Sequence, residues 1–201
     1  MGTRVAPRRG REAGRESGTF MREIGYAVRG FLTVRKDSVR VPLRGSLALR
    51  ADLDSGLFTG DLALDPSAVS RTVLGASVLR ATVQIAAGSP VVGVVGHEGR
   101  VFATVMVDAV ITAADAAGRT LIGGGCCRTS ESAVVPLRSQ PGFRLEQGGR
   151  LAGSYRRPPF TGCGWATPIV NLLIAGPGNA VVIDLIPVTP GAGCPAAPPV
   201  R

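Results

Sequence analysis

In Leu43-Arg44-Gly45-Ser46-Leu47-Ala48-Leu49-Arg50-Ala51-Asp52-Leu53, every odd position is apolar or small, while Arg44, Ser46, Arg50 and Asp52 are polar. Side chains that alternate with period two bury one face of a strand and leave the other wet. Asp54-Ser55-Gly56 follows with turn chemistry. Phe58, Gly60, Leu62 and Leu64 then alternate with Thr59 and Asp61. The two runs predict a β-hairpin in an antiparallel sheet.

Working outward, Tyr26 to Arg35 is a first strand. Asp65-Pro66-Ser67 breaks the pattern, and residues 67–76 read as an irregular connection. Leu79, Ala81, Val83 and Ile85 alternate with Arg80, Thr82 and Gln84, and Gly88-Ser89-Pro90 turns into Val91 to Val95. Arg100 to Ala113 reads as one long strand, apolar at Val101, Ala103, Val105, Val107, Ala109 and Ile111. Ser132 to Leu137, Phe143 to Glu146 and Leu151 to Tyr155 are further strands, with Gln147-Gly148-Gly149 as the hairpin loop between the last two. One helix is expected. Thr167 is its N-cap, Pro168 its first residue, Ile169, Val170, Leu172, Leu173 and Ile174 its apolar body, and Gly176-Pro177-Gly178 its stop. Ala180 to Ile186 is the last strand. Nine or ten short strands and one short helix near the C-terminus predict a mainly β fold, an antiparallel β-barrel or sandwich. Closure into a barrel removes the exposed edges that Val-rich strands would otherwise present. The organisation expected is a disordered Arg-rich arm over 1–22, a single β domain over 23–187 and a Pro/Gly-rich tail over 188–201.

The 45% of hydrophobic residues in this 201-residue chain is enough to fill a core, which excludes disorder of the whole. The net charge of +9 is uneven. Residues 1–44 hold 11 basic and 4 acidic residues, a net +7, whereas residues 45–201 are nearly balanced. Such an arm suits anionic lipid, nucleic acid or acidic glycans, but a block of like charge is most simply a solvated tail. No run of apolar residues is long enough for a transmembrane helix. The basic start is not followed by an apolar h-region before Ile24, so export by a standard signal peptide is not expected. Aromatic residues at 4% do not supply the girdles of a membrane barrel.

Four cysteines, Cys126, Cys127, Cys163 and Cys194, include no C-x-x-C pair, which disfavours zinc-ribbon and thioredoxin-like readings. Neighbouring side chains of an extended segment point opposite ways, so Cys126 and Cys127 have different fates. Cys163, flanked by Gly162 and Gly164, reads as the disulfide partner of one of the two, which requires an oxidising compartment; the alternative is that all four are reduced buried or tail thiols.

Gly153-Ser154-Tyr155-Arg156-Arg157-Pro158-Pro159-Phe160-Thr161-Gly162-Cys163-Gly164, Asn171-Leu172-Leu173-Ile174-Ala175-Gly176-Pro177-Gly178-Asn179 and Cys127-Arg128-Thr129, with the Gly60-Asp61-Leu62 hairpin, resemble a pattern in a group of uncharacterised, mostly exported actinobacterial β-rich proteins. The resemblance covers about residues 43–186. It implies an exported β domain, extracytoplasmic or in the cell envelope, with a Cys127–Cys163 disulfide, and it implies no activity. Cys126 and Cys194 are additional to the pattern, and Cys194 reads as free or bonded to Cys126.

Catalytic chemistry is poorly provided for. His97, the single histidine, sits in a Gly-bounded turn, where histidines are usually exposed and idle, and any Ser/His/Asp or Cys/His arrangement would have to use it. Asp108 and Asp184 form a carboxylate pair only if their strands bring them face to face; otherwise they are outward polar positions. Tyr155, Arg156 and Arg157 suit an anion clamp or, more simply, a loop anchor. Gly123-Gly124-Gly125 lacks the Lys-Ser/Thr of a phosphate loop, and Gly176-Pro177-Gly178-Asn179 follows a helix instead of opening one. Phe31 with Arg29, Arg35 and Lys36 is the one hint of a nucleic-acid surface and falls short of specific recognition. The expectation is a non-enzymatic cell-envelope or secreted domain with no catalytic, cofactor or metal residues. Small interior residues such as Gly45, Ala51, Gly60, Ala81, Ala103 and Ala109 either leave room for an apolar small molecule or lipid inside a barrel or mark tight sheet packing. The alternatives are a structural or interaction module with a filled core and, less favoured, an enzyme on a β scaffold.

Overall fold

The computed structural model describes residues 21–34, 39–73, 77–86 and 88–188. The expected arm over 1–22 and tail over 188–201 lie almost wholly outside the described residues. In chain order the strands are β1 (Met21–Val34), β2 (Val39–Asp52), β3 (Leu57–Leu64), β4 (Ser67–Val73), β5 (Ser77–Ile85), β6 (Ser89–Val95), β7 (Val101–Val107), β8 (Ala109–Ala116), β9 (Arg119–Thr129), β10 (Ala133–Ser139), β11 (Gly149–Arg157), β12 (Phe160–Thr161) and β13 (Gly176–Val188). Among the described residues there is one α-helix, α1 (Thr167–Ile174), which precedes β13. Eight strands close into an antiparallel barrel in the order β1-β13-β11-β10-β7-β6-β3-β2, and five form a second sheet in the order β12-β9-β8-β5-β4.

The hairpin of β2 and β3 pairs Leu49 with Gly60 and Leu47 with Leu62 across its two strands. Leu43, Leu47, Leu49 and Ala51 all face the barrel core, as their alternation requires. Closure depends on β1, which pairs along its whole length with β2 and on its other side with β13. Gly45 and Gly60 mark close approach between strands. A Cβ on Gly45 would fall 2.0 Å from the carbonyl oxygen of Ala63, and one on Gly60 would fall 2.2 Å from that of Ala48. At these two positions the small residue is needed for close approach of the strands and opens no room for a ligand.

The chain passes between barrel and second sheet six times, each time at the same barrel end. One crossing explains a departure from the expected long strand over residues 100–113. β7 belongs to the barrel and β8 to the second sheet, and the chain changes sheets at Asp108. The Asp108 carbonyl accepts the Ala86 amide at 2.8 Å, its carboxylate accepts the Ser132 hydroxyl at 2.8 Å, and the Ala109 amide donates to Thr129 Oγ1 at 3.2 Å. Neighbouring crossings thus bind one another and satisfy the backbone where the ladders stop.

Three other expectations change. Residues 67–73 are strand β4, the edge of the second sheet, and not irregular chain. Phe143 to Glu146 is not a strand. Residues 144–148 make a tight turn closed by an Arg144–Gly148 bridge, and Phe143 and Leu145 plug the barrel end opposite the second sheet. Ala166, not Thr167, occupies the N-cap of α1. The Thr167 hydroxyl instead donates to the Gly164 carbonyl at 2.8 Å, tying the helix to the turn before it.

Tyr26 closes the plugged end. It is 1% exposed and its hydroxyl donates to the Leu145 carbonyl. Burial pushes its phenol up to about 12, while nearby Arg22 lowers it and Glu146 raises it. The fold therefore holds the neutral phenol. Its contribution is complete below the unfolded value near 10 and is lost as pH rises from about 10 to about 12, a change on the order of 2 kcal/mol. Urea melts of the wild type and Tyr26→Phe at about pH 9 and about pH 11.5 should show the wild type losing that much more stability than the variant. An unchanged difference between the two proteins would mean that the phenol ionises freely in the fold.

Candidate functional site

Among the described residues, the carboxylates and the basic-aromatic group singled out from the sequence do not converge. The side chain of His97 lies outside the described residues; its backbone forms a short 3₁₀ turn with Glu98 and Gly99. Asp108 accepts from Ser132, while Asp184 receives Arg150 Nε at 2.7 Å and Nη2 at 3.0 Å. The Arg150 hydrogen bonds hold the Asp184 carboxyl below its usual range. Each carboxylate thus has its own partner. Phe31 is covered by Arg40, 4.9 Å from the ring centre, while Arg35 and Lys36 lie outside the described residues. Gly124 and Gly125 loop out of β9 at positive φ, between Gly123, which pairs with Ala113, and Cys127, which pairs with Ile111. That bulge turns Cys127 into the second core. Among the described residues no three His, Cys, Asp or Glu side chains cluster as a metal site would require.

Cys127 and Cys163 form a disulfide, with Cα atoms 4.3 Å apart and 36 positions apart in sequence. Cys126 is an exposed thiol, and Cys194 lies outside the described residues. The disulfide fixes the segment before α1 to β9. A second clamp acts further along, where the Asn171 side chain accepts the Phe160 amide at 2.6 Å and donates to the Phe160 carbonyl at 3.0 Å. Asn171 is the polar interruption in an otherwise apolar helix body, and this is its use.

The barrel lumen is filled by its own side chains. A cavity of about 20 Å³ remains near the plugged end and one of about 90 Å³ at the end covered by the second sheet. Both are far below the ~300 Å³ of a drug-sized ligand pocket. A larger apolar space lies elsewhere, between the second sheet and α1. It measures about 140 Å³, also below the ~300 Å³ of a drug-sized pocket, and is walled by Leu79, Ala81, Val83, Ile111, Val170 and Leu173 among others. Trp165, the chain's one tryptophan, and Ile169 stand at its rim, 69% and 51% exposed. No residue of α1 is buried, although five of its eight are Ile, Val or Leu. A helix so apolar normally lies in a core, so α1 covers this space without filling it.

Val41, Val83 and Arg157 line both the helix-side cavity and the barrel-end cavity. Of the anion-clamp candidates, Tyr155 is buried, Arg156 is exposed, and Arg157 is half-buried with Nη2 donating to the Tyr155 hydroxyl at 2.8 Å. The sequence carried one sign of this site, the apolar character of α1 on nearly all its faces. Comparison of the chain with protein-family models, curated proteins and solved structures returns no match.

Proposed function

We propose that this chain is a non-enzymatic extracytoplasmic or cell-envelope β domain that binds an apolar ligand between its second sheet and α1. The observation that carries the reading is the largely apolar cavity of about 140 Å³ beneath a helix none of whose residues is fully buried. An apolar cavity of roughly 150 Å³ stays dry and takes up a benzene-sized molecule, so the walls suit a narrow hydrocarbon group. The disulfide favours an oxidising compartment, and with it the envelope location that the sequence resemblance implies.

Trp165 at the rim is a built-in reporter. Titration with decan-1-ol, a neutral apolar probe, should shift its emission to the blue and saturate. Ala81→Leu, which fills the cavity from the sheet side, should weaken that response about tenfold or more while leaving the melting temperature equal or higher. An emission that never moves, or an Ala81→Leu protein that binds as well as the wild type, would refute the site.

A further inference from the structure

We infer, on the footing of that apolar site, that its occupant is a single-chain aliphatic carboxylate whose headgroup is held by Arg157. Among the described residues lining the helix-side cavity, Arg157 carries the one formal charge. A fully buried guanidinium is normally matched by a carboxylate, and a half-buried one at the edge of an apolar cavity can take one from a ligand. Yet no described Asp or Glu stands within ion-pair distance of Arg157. Asp65, which lines the barrel-end cavity with it, is exposed and makes no such pair. The guanidinium lies over the Tyr155 ring, 5.9 Å from its centre, and one of its nitrogens donates to the Tyr155 hydroxyl; both contacts are to a neutral group and leave further N–H donors in the planar fork that matches a carboxylate.

Position sets the direction of the ligand. Arg157 pairs with Gly176 in the β11–β13 ladder, two residues past the end of α1, and Trp165 lies two residues before its start. The two residues therefore mark opposite ends of the helix, whose eight residues span about 12 Å at 1.5 Å per residue. A hydrocarbon chain running beneath α1 puts its head at Arg157 and its tail at Trp165. One cation in an aliphatic wall balances one monoanion. A phosphate dianion would leave a charge uncompensated in an apolar space, which selects a carboxylate.

The test compares decanoate with decan-1-ol on the whole chain, by calorimetry and Trp165 emission, at a pH where the carboxylate is ionised. Decanoate should bind about tenfold more tightly than the alcohol. In Arg157→Gln the ratio of the two affinities should fall to within about twofold, and Arg157→Lys should keep part of the preference for the anion. Equal affinities in the wild type would overturn the inference while leaving the apolar site standing, whereas silence from both probes would remove the site itself. The carbonyl end of α1 also favours a cation. If that is the whole role of Arg157, Arg157→Gln lowers the melting temperature and leaves the ratio of affinities unchanged, which overturns the inference as well. Binding to phosphatidylglycerol vesicles without any response to monomeric decanoate would overturn it in favour of a membrane surface.

Discussion

Leu49→Asp should abolish cooperative folding or cost at least several kcal/mol, while Arg50→Asp should move the melting temperature by a few degrees at most. Leu49 is 3% exposed in the middle of β2, and one of its methyl carbons sits 2.5 Å from where a Cβ on Gly60 would stand. Gly60 thus vacates the space that Leu49 fills. Losing the side chain forfeits about 2–3 kcal/mol of burial, and an unpaired carboxylate in the lumen adds a penalty of several more. Together these approach the 5–15 kcal/mol that is the whole stability of a typical domain. Arg50 points outward, with its side chain 70% exposed and its Nε 3.1 Å from the Glu23 carboxylate. Removing such a surface pair costs under about 1 kcal/mol, and the new repulsion from Glu23 adds a similar amount at most. Urea denaturation followed by circular dichroism would measure both, and equal midpoints would mean that the register of β2 is wrong.

Period two made that strand legible because burial in it depends on the pleat alone. The same signal misled at Asp108. Alternation continues from Val101 to Ile111 without a break, since it records that one face is covered and not which sheet covers it. β4 was missed for the opposite reason: at the edge of the second sheet, its Ser67-Ala68-Val69-Ser70-Arg71 opening carries too few apolar side chains to show a face. Phe143 and Leu145 imitate a strand because a plug, like a strand, can bury alternate residues. Gly45 and Gly60 allowed two readings, room for a ligand or close approach of strands, and backbone distances alone separate them. The cavity itself had no sequence signature. It arises from the height at which the Cys127–Cys163 bond and the Asn171 clamp hold α1 over the sheet, a spacing between elements distant in the chain.

That dependence underlies the second large effect. Reducing the Cys127–Cys163 bond, or replacing both residues by Ala, should loosen the second sheet and α1 well before the barrel. The bond closes a loop of 36 residues, worth about 4 kcal/mol in the chain-entropy model. Its sulfurs belong to the smaller core, with Ala109, Ile111, Ala114, Ile122, Phe160 and Ala166. None of these eight residues belongs to the barrel core, which keeps Leu47, Leu49, Phe58, Leu151 and Ile183 untouched by the change. The energy should therefore be lost locally, as opening of the weaker unit. Hydrogen exchange should show amides of 160–174 and of β9 losing protection by about a thousandfold, the equivalent of about 4 kcal/mol, while β1, β2 and β13 keep theirs. Non-reducing peptide mapping should first return Cys127 joined to Cys163 and Cys126 outside that pair, since Cys126 faces solvent where Cys127 is fully buried. A uniform loss of protection would mean that barrel and second sheet open together through their six crossings. Unchanged protection in 160–174 would mean that Asn171 and the apolar contacts of α1 hold the helix without the bond. If the helix does come loose, the reduced protein should lose the decan-1-ol response of Trp165 together with that protection, because the cavity exists only while α1 is held in place.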